Sequence, residues 1–134
     1  MLDIDYRNQP IEALGDSGFD LVTSLEVIEH VDDPKAFVAG LSRALAYDGL
    51  MILSTPNRTA QSTLMLVEMA EKVGQIPRGT HDHDKFFTPD ELAKLLAAEG
   101  LGVIDTTGIN FNPLSGFELS DNLSLNYLMT VARQ

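Results

Sequence analysis

The sequence predicts an α/β fold, a mostly parallel sheet closed by an antiparallel strand at its carboxyl end. Three observations carry this. Two short apolar runs, 19–25 and 50–55, are bounded by turn residues and read as buried strands. Two helix starts, Asp33-Pro34 and Thr88-Pro89-Asp90-Glu91, place helices between strands. Two further strand-like stretches, 101–106 and 126–132, follow one another directly, as antiparallel neighbours do.

Taken in order, Leu2–Arg7 alternates loosely and predicts a short strand, and Pro10–Leu14 a single helical turn closed by Gly15. Phe19 to Leu25 is rich in β-branched and apolar residues, and an acidic stretch follows from Glu26 to Asp33. After the Asp33 cap, Phe37, Leu41, Ala44 and Leu45 recur at helical spacing until Asp48-Gly49. Leu50–Thr55 is the next strand, ended by Pro56-Asn57. Thr63–Val73 is amphipathic, with Leu66, Met69, Ala70 and Val73 on one face. A polar loop runs from Pro77 to Asp84. The Thr88 cap then starts a helix through Leu92, Leu95 and Leu96, stopped by Gly100. Between the closing strands, Asn110–Asn122 reads as a turn-rich connection.

At 134 residues the chain is one domain or a piece of one. It has no cysteine, which excludes disulfides and thiolate metal sites. Nine basic residues against twenty acidic ones give a net charge of −11, a field that repels phosphate backbones, so no nucleic-acid partner is expected. The same field weakens attraction to anionic lipid, so any membrane contact must be mainly hydrophobic. Leu2-Asp3-Ile4-Asp5 offers neither a basic start nor an apolar core, so no signal peptide is expected, and no apolar run approaches the ~20 residues that span a bilayer. A cytoplasmic location follows as the expectation.

Two blocks carry a family resemblance. Phe19-Asp20-Leu21-Val22…Leu25-Glu26-Val27-Ile28-Glu29-His30-Val31…Pro34 resembles the fourth strand and following loop of class I S-adenosylmethionine-dependent methyltransferases. Leu45…Asp48-Gly49-Leu50-Met51-Ile52-Leu53-Ser54-Thr55-Pro56-Asn57 resembles the segment that comes next. Ser54–Thr59, Pro77-Arg78-Gly79-Thr80-His81-Asp82, Lys85-Phe86…Thr88-Pro89…Glu91-Leu92, Thr107-Gly108, Asn112-Pro113-Leu114 and Asn126-Tyr127-Leu128 are similar to the 3-demethylubiquinone 3-O-methyltransferases. That family methylates hydroxyls of polyprenylated phenols during ubiquinone synthesis. The resemblance implies a partial Rossmann-like class I fold with its first strands missing, residues 1–134 being roughly the carboxy-terminal two-thirds of one domain. It departs from the family at the start, where no strand, Gly-rich turn and helix cradle the cofactor. Strand Leu2–Arg7 would then lack a neighbour, and the chain would bind cofactor poorly unless another chain supplies the missing part.

The resemblance also implies site residues. Leu25 at a strand's carboxyl edge, with Gln9 and Pro10 after the first strand, would contact S-adenosylmethionine; a core leucine and a plain turn are the alternatives. Glu26, Glu29 and His30, at spacings of three and four, would share one side of a helical turn. Two carboxylates and an imidazole suit Mg2+, which would bind the substrate oxygens, with Glu29 and His30 also catalytic; packing or capping is the alternative. His81, with an unperturbed pKa of ~6.5, is the candidate general base, with Asp82 orienting it, or else a loop anchor. Asn57 and Arg58 would face substrate or make turn hydrogen bonds. Residues 60–78, including the amphipathic Thr63–Val73, would form a helical lid or membrane-contact insert at the inner membrane face, or simply pack on their own domain. Homodimerisation would be a second way to cover open strand edges. A class I methyltransferase for another small molecule, or an inactive fragment, are the rival functions.

Overall fold

The computed structural model describes residues 2–59 and 86–134. Strands are β1 (Phe19–Leu25), β2 (Leu45–Pro56), β3 (Leu101–Asn112), β4 (Gly116–Ser120) and β5 (Asn126–Arg133); helices are α1 (Pro34–Ala44) and α2 (Pro89–Ala97). Two short 3-10 turns, Ile11–Ala13 and Ile28–His30, precede and follow β1. The sheet order is β1-β2-β5-β3-β4. β1 and β2 are parallel, and β5 runs antiparallel to both β2 and β3, so the α/β class and its antiparallel ending are as the sequence predicts. No helix among the described residues is long and apolar enough to cross a membrane.

Both helices begin as their cap residues dictate. Ala36 N–H donates to Asp33 Oδ1 (3.1 Å), with Pro34 at the first helical position. At α2 the capping box is complete: Glu91 N–H donates to Thr88 Oγ1 (3.2 Å), and Thr88 N–H to Glu91 Oε1 (2.9 Å). Helix α1 ends one residue earlier than its apolar spacing suggests, because Leu45 turns extended and opens β2. Arg133 on β5 reaches the end of α1 and donates to the carbonyls of Ser42 (2.6 Å) and Leu45 (2.7 Å), groups no later turn can satisfy.

Helices α1 and α2 bury Phe37, Val38, Leu41, Leu92 and Leu96 in one core with Val22, Met51, Leu53, Tyr127, Met129 and Val131 of the sheet. In a strand, alternate residues take opposite faces, so these sheet residues define the helix-covered face. The other face carries Leu21, Leu25 and Leu50, all exposed. Gly49 allows β2 to pass β1 closely, since a Cβ there would lie 2.9 Å from the Phe19 carbonyl oxygen. At Gly108 the Asn122 carbonyl occupies the space a side chain would need.

Three expectations are corrected. Leu2–Arg7 is not a strand: it has no ladder partner among the described residues, and Arg7 instead clamps Asp5 (2.8 Å) and Asp16 (3.0 Å). Strand β2 starts at Leu45 rather than Leu50. The closing strands are not joined by a turn-rich loop alone. Strand β3 continues to Asn112 and folds back as β4, so 110–120 is a two-stranded ribbon at the sheet's far edge. Its polar turn residues concealed the alternation of Phe111, Phe117 and Leu119. The single Gly-x-Gly triplet, Gly100-Leu101-Gly102, leads from α2 into β3, the reverse of a strand-to-helix cofactor loop.

Candidate active site

Leu25, Glu26, Glu29, His30, Asn57 and Arg58 stand at or just beyond the ends of β1 and β2, the edge at which open α/β sheets take ligands. Consecutive hydroxyls on β2, Ser54 and Thr55, point to opposite faces, and each holds one carboxylate. Ser54 Oγ donates to Glu26 Oε2 (3.0 Å), whose other oxygen accepts from Asn126 Nδ2. Thr55 Oγ1 donates to Glu29 Oε1 (2.8 Å). Glu26 leaves β1 in the left-handed region at φ 57°, which costs a non-glycine residue roughly 1–2 kcal/mol. Its amide donates to the Ser54 carbonyl (2.9 Å), so the chain is pinned through this conformation from both sides.

The two carboxylates differ electrostatically. Burial pushes the Glu26 carboxyl up to about 7, and the nearby Glu29 charge adds to the rise, against the bonds from Ser54 and Asn126 that lower it. Residue Glu26 is exposed as a whole, while its two carboxylate oxygens accept from Ser54 and Asn126. The Glu29 side chain is 1% exposed, and its Oε2 accepts no hydrogen bond among the described residues; His30 Nε2 lies 3.6 Å away. Glu29 lines a cavity of about 290 Å3 with Ile28, Val31, Arg58, Phe86 and Phe87. Arg58 is held there by Glu91 Oε2 (2.6 Å), and the Tyr127 hydroxyl donates to the Phe87 carbonyl (2.8 Å). Burial, the larger cause, and the surrounding carboxylates push the Tyr127 phenol up, so it remains a donor.

The three expected ligands stand in a different arrangement from one helical turn. Among the described residues no group of three His, Asp or Glu side chains comes together to hold a metal ion. Glu26 and Glu29 are three apart in sequence, but they leave a strand end rather than share a helix turn, and they bond to opposite faces of β2. As arranged, the two carboxylates are bonded to hydroxyls on different faces of the sheet. Asn57 makes hydrogen bonds, one of its two expected roles. It is buried, its Nδ2 donates to the Leu123 carbonyl (2.7 Å), and its amide to that of Leu125 (2.8 Å), tying β2 to the chain entering β5. Arg58 does line the cavity. His81 and the 60–78 segment lie outside the described residues.

Of the cofactor-contacting candidates, Gln9 and Pro10 line a cavity of about 580 Å3 with Arg7, Ile11, Asp16 and Phe19. Leu25 is not in that lining; it stands exposed at the carboxyl end of β1. Phe19 begins β1 and Leu25 ends it, so the structure does not bring these three candidates together in one lining. Sequence reasoning missed Ser54, Thr55 and Asn126. Two hydroxyls at the carboxyl end of an apolar strand were the available signal; Asn126 stands in a motif block, but nothing local linked it to Glu26, a hundred residues away.

Two carboxylates beyond the end of β1, in a sheet whose parallel pair is closed by an antiparallel strand, agree with the methyltransferase resemblance. Residues 3–106 match the family model described as a methyltransferase domain, and the chain belongs to that family. It is similar to the ubiquinone biosynthesis O-methyltransferase of Methylobacterium nodulans, 45% identical over 134 residues that cover 97% of this chain and 54% of the relative. The protein of that name from Dinoroseobacter shibae is 47% identical over 137 residues, covering 98% and 55%. The chain thus spans just over half the length of these relatives, less than the two-thirds its motifs suggested. Among solved structures, a Thermotoga maritima S-adenosylmethionine-dependent methyltransferase, described as a possible histamine N-methyltransferase, superposes with a TM-score of 0.64 at 21% identity, covering 92% of this chain and 61% of that one. Magnesium protoporphyrin IX methyltransferase from Synechocystis with bound S-adenosylhomocysteine gives 0.61 at 19%, covering 94% and 49%. Both show the shared fold.

Proposed function

We propose that this chain is the carboxy-terminal portion of an S-adenosylmethionine-dependent O-methyltransferase that methylates a phenolic hydroxyl of a polyprenylated substrate in ubiquinone biosynthesis. The observation that carries this is the 40–47% identity, over nearly the whole chain, to relatives named for that activity. The site chemistry agrees with it. S-adenosylmethionine, when bound, supplies an electrophilic methyl group on a sulfonium. Leu25, at the carboxyl end of β1, would contact its adenosyl part. Glu29, which lines the cavity with Arg58, Phe86 and Phe87, would take the phenol's proton as the C–O bond forms. His81 is the second candidate for that proton. Arg58, Phe86 and Phe87 would align the ring, and alignment supplies most of the help in such a displacement.

A divalent cation at Glu26, Glu29 and His30 is the second reading, favoured by the buried Glu29 oxygen that accepts no hydrogen bond. It requires the two glutamates to converge further than they do here. Calorimetric titration with Mg2+ would show a carboxylate-dependent site, abolished by Glu29→Ala; no heat would remove this reading. We also propose a peripheral membrane contact, since the substrate's tail partitions into lipid.

The test joins this chain to the preceding half of the Methylobacterium nodulans relative. S-adenosylhomocysteine binding and methylation of a demethylated quinol are then followed by calorimetry and mass spectrometry. Methylation, with turnover lowered by Glu29→Ala and by His81→Ala at unchanged cofactor affinity, is the expected result. A chimera that binds cofactor and leaves the quinol unmethylated would overturn the substrate assignment.

A further inference from the structure

We propose, resting on the function inferred above, that Glu91 is a positioning residue for the methyl transfer. It holds the Arg58 guanidinium at the cavity, so that Arg58 meets the phenolic oxygen as that oxygen gains negative charge. The Glu91 carboxylate has two tasks. Its Oε1 accepts from the Thr88 amide (2.9 Å) and completes the capping box of α2, while Oε2 accepts from Arg58 Nη2 (2.6 Å). The pair lies 33 residues apart in sequence, and its bond ties the first turn of α2 to the chain leaving β2. Neither end depends on that bond for its place. The cap is complete without Arg58, and Asn57 already fastens the end of β2 to the chain entering β5. The two side chains are 37% and 40% exposed, a level at which an ion pair contributes little to stability. What the bond fixes is where the guanidinium stands.

Charge shows why that place matters. Among the described residues lining the cavity, Glu29, Asp32 and Glu91 are acidic and Arg58 is the one base. In the transfer, the phenol's proton passes to a carboxylate and the oxygen attacks the methyl carbon. The carbon–sulfur bond breaks, and its electron pair stays on sulfur. An oxygen turning anionic among carboxylates is repelled, and a fixed guanidinium offsets that repulsion. Glu91 engages one guanidinium nitrogen, Nη2, while the planar fork offers further donors on Nε and Nη1. A long side chain left loose would have to be ordered at every turnover. Glu91 orders it in advance.

Capping and positioning separate by substitution. Glutamine also completes a capping box, so Glu91→Gln keeps the helix start and removes the charge that holds Arg58. Thr88→Ala does the reverse, breaking one of the two cap bonds while both Glu91 oxygens keep their partners. In this chain, modification by phenylglyoxal, an arginine reagent, is followed at each arginine by mass spectrometry. Glu91→Gln is expected to speed modification of Arg58 several-fold and leave Arg43 unchanged. Thr88→Ala should lower the melting temperature without changing the Arg58 rate. An unchanged Arg58 rate in Glu91→Gln would overturn the proposal. In the joined enzyme described above, Glu91→Gln should lower kcat for the quinol roughly ten- to a hundredfold at unchanged cofactor affinity, while Thr88→Ala keeps kcat. A kcat that Glu91→Gln leaves alone, or that Thr88→Ala lowers equally, would confine Glu91 to the helix start and overturn its positioning role. A joined enzyme that leaves the quinol unmethylated with every residue native defeats the functional reading instead, and the arginine rates still decide whether Glu91 holds Arg58.

Discussion

The two faces of the sheet do different work. The helix-covered face packs Met51, Leu53, Met129 and Val131 against α1 and α2, and holds Glu29 in its buried turn. The other face leaves Leu21, Leu25, Leu50 and, on the ribbon, Phe117 in solvent, and it holds Glu26 between Ser54 and Asn126. One face therefore supplies stability and the other supplies surface. Two carboxylates three residues apart acquire different chemistry because one strand end delivers them to different faces.

Substitutions on the two faces should separate these roles. The largest expected effect is Leu53→Ala on the covered face, a loss of about 2–5 kcal/mol measured by urea unfolding, because the cavity cannot refill. Arg133→Ala should cost about 1–3 kcal/mol in the same assay, since it strands the buried carbonyls at the end of α1. A loss equal to that of Leu53→Ala would mean the guanidinium also organises the core.

Glu26 provides a pH-dependent test. Its folded pKa of about 7 stands above the ordinary 4.5, so between these values the folded state binds more protons than the unfolded one. Its contribution is fully present below about pH 4.5 and is lost as pH rises through 7. Solvent reaching part of the residue makes the change modest. The melting temperature should fall over that window, and Glu26→Gln should flatten the fall; an identical slope in the variant would remove Glu26 as its source. The smallest effect is expected from Leu50→Ser on the open face, within about 0.5 kcal/mol. A core-sized loss there would show that this face is packed after all.

Much of this was legible in the chain. Asp33-Pro34 and Thr88-Pro89-Asp90-Glu91 set both helix starts, because a cap is satisfied by residues within three positions. The apolar runs of β1 and β2 marked strands, although β1 leaves one face exposed, and Glu26, Glu29 and Arg58 were candidates by residue type and resemblance. What local pattern could not show depends on partners distant in sequence. Leu2–Arg7 alternates like a strand but has no ladder to join. Asn57 turned inward because the carbonyls of Leu123 and Leu125 lie against it. The ribbon's apolar face emerged only when β4 folded onto β3. The sequence by itself determined the class, the helix starts and which residue types stand at the strand ends. Tertiary structure alone decided that Ser54 and Thr55 divide two neighbouring carboxylates between the faces, since side-chain direction there follows from strand alternation and a left-handed Glu26 held by Asn126, a hundred residues away.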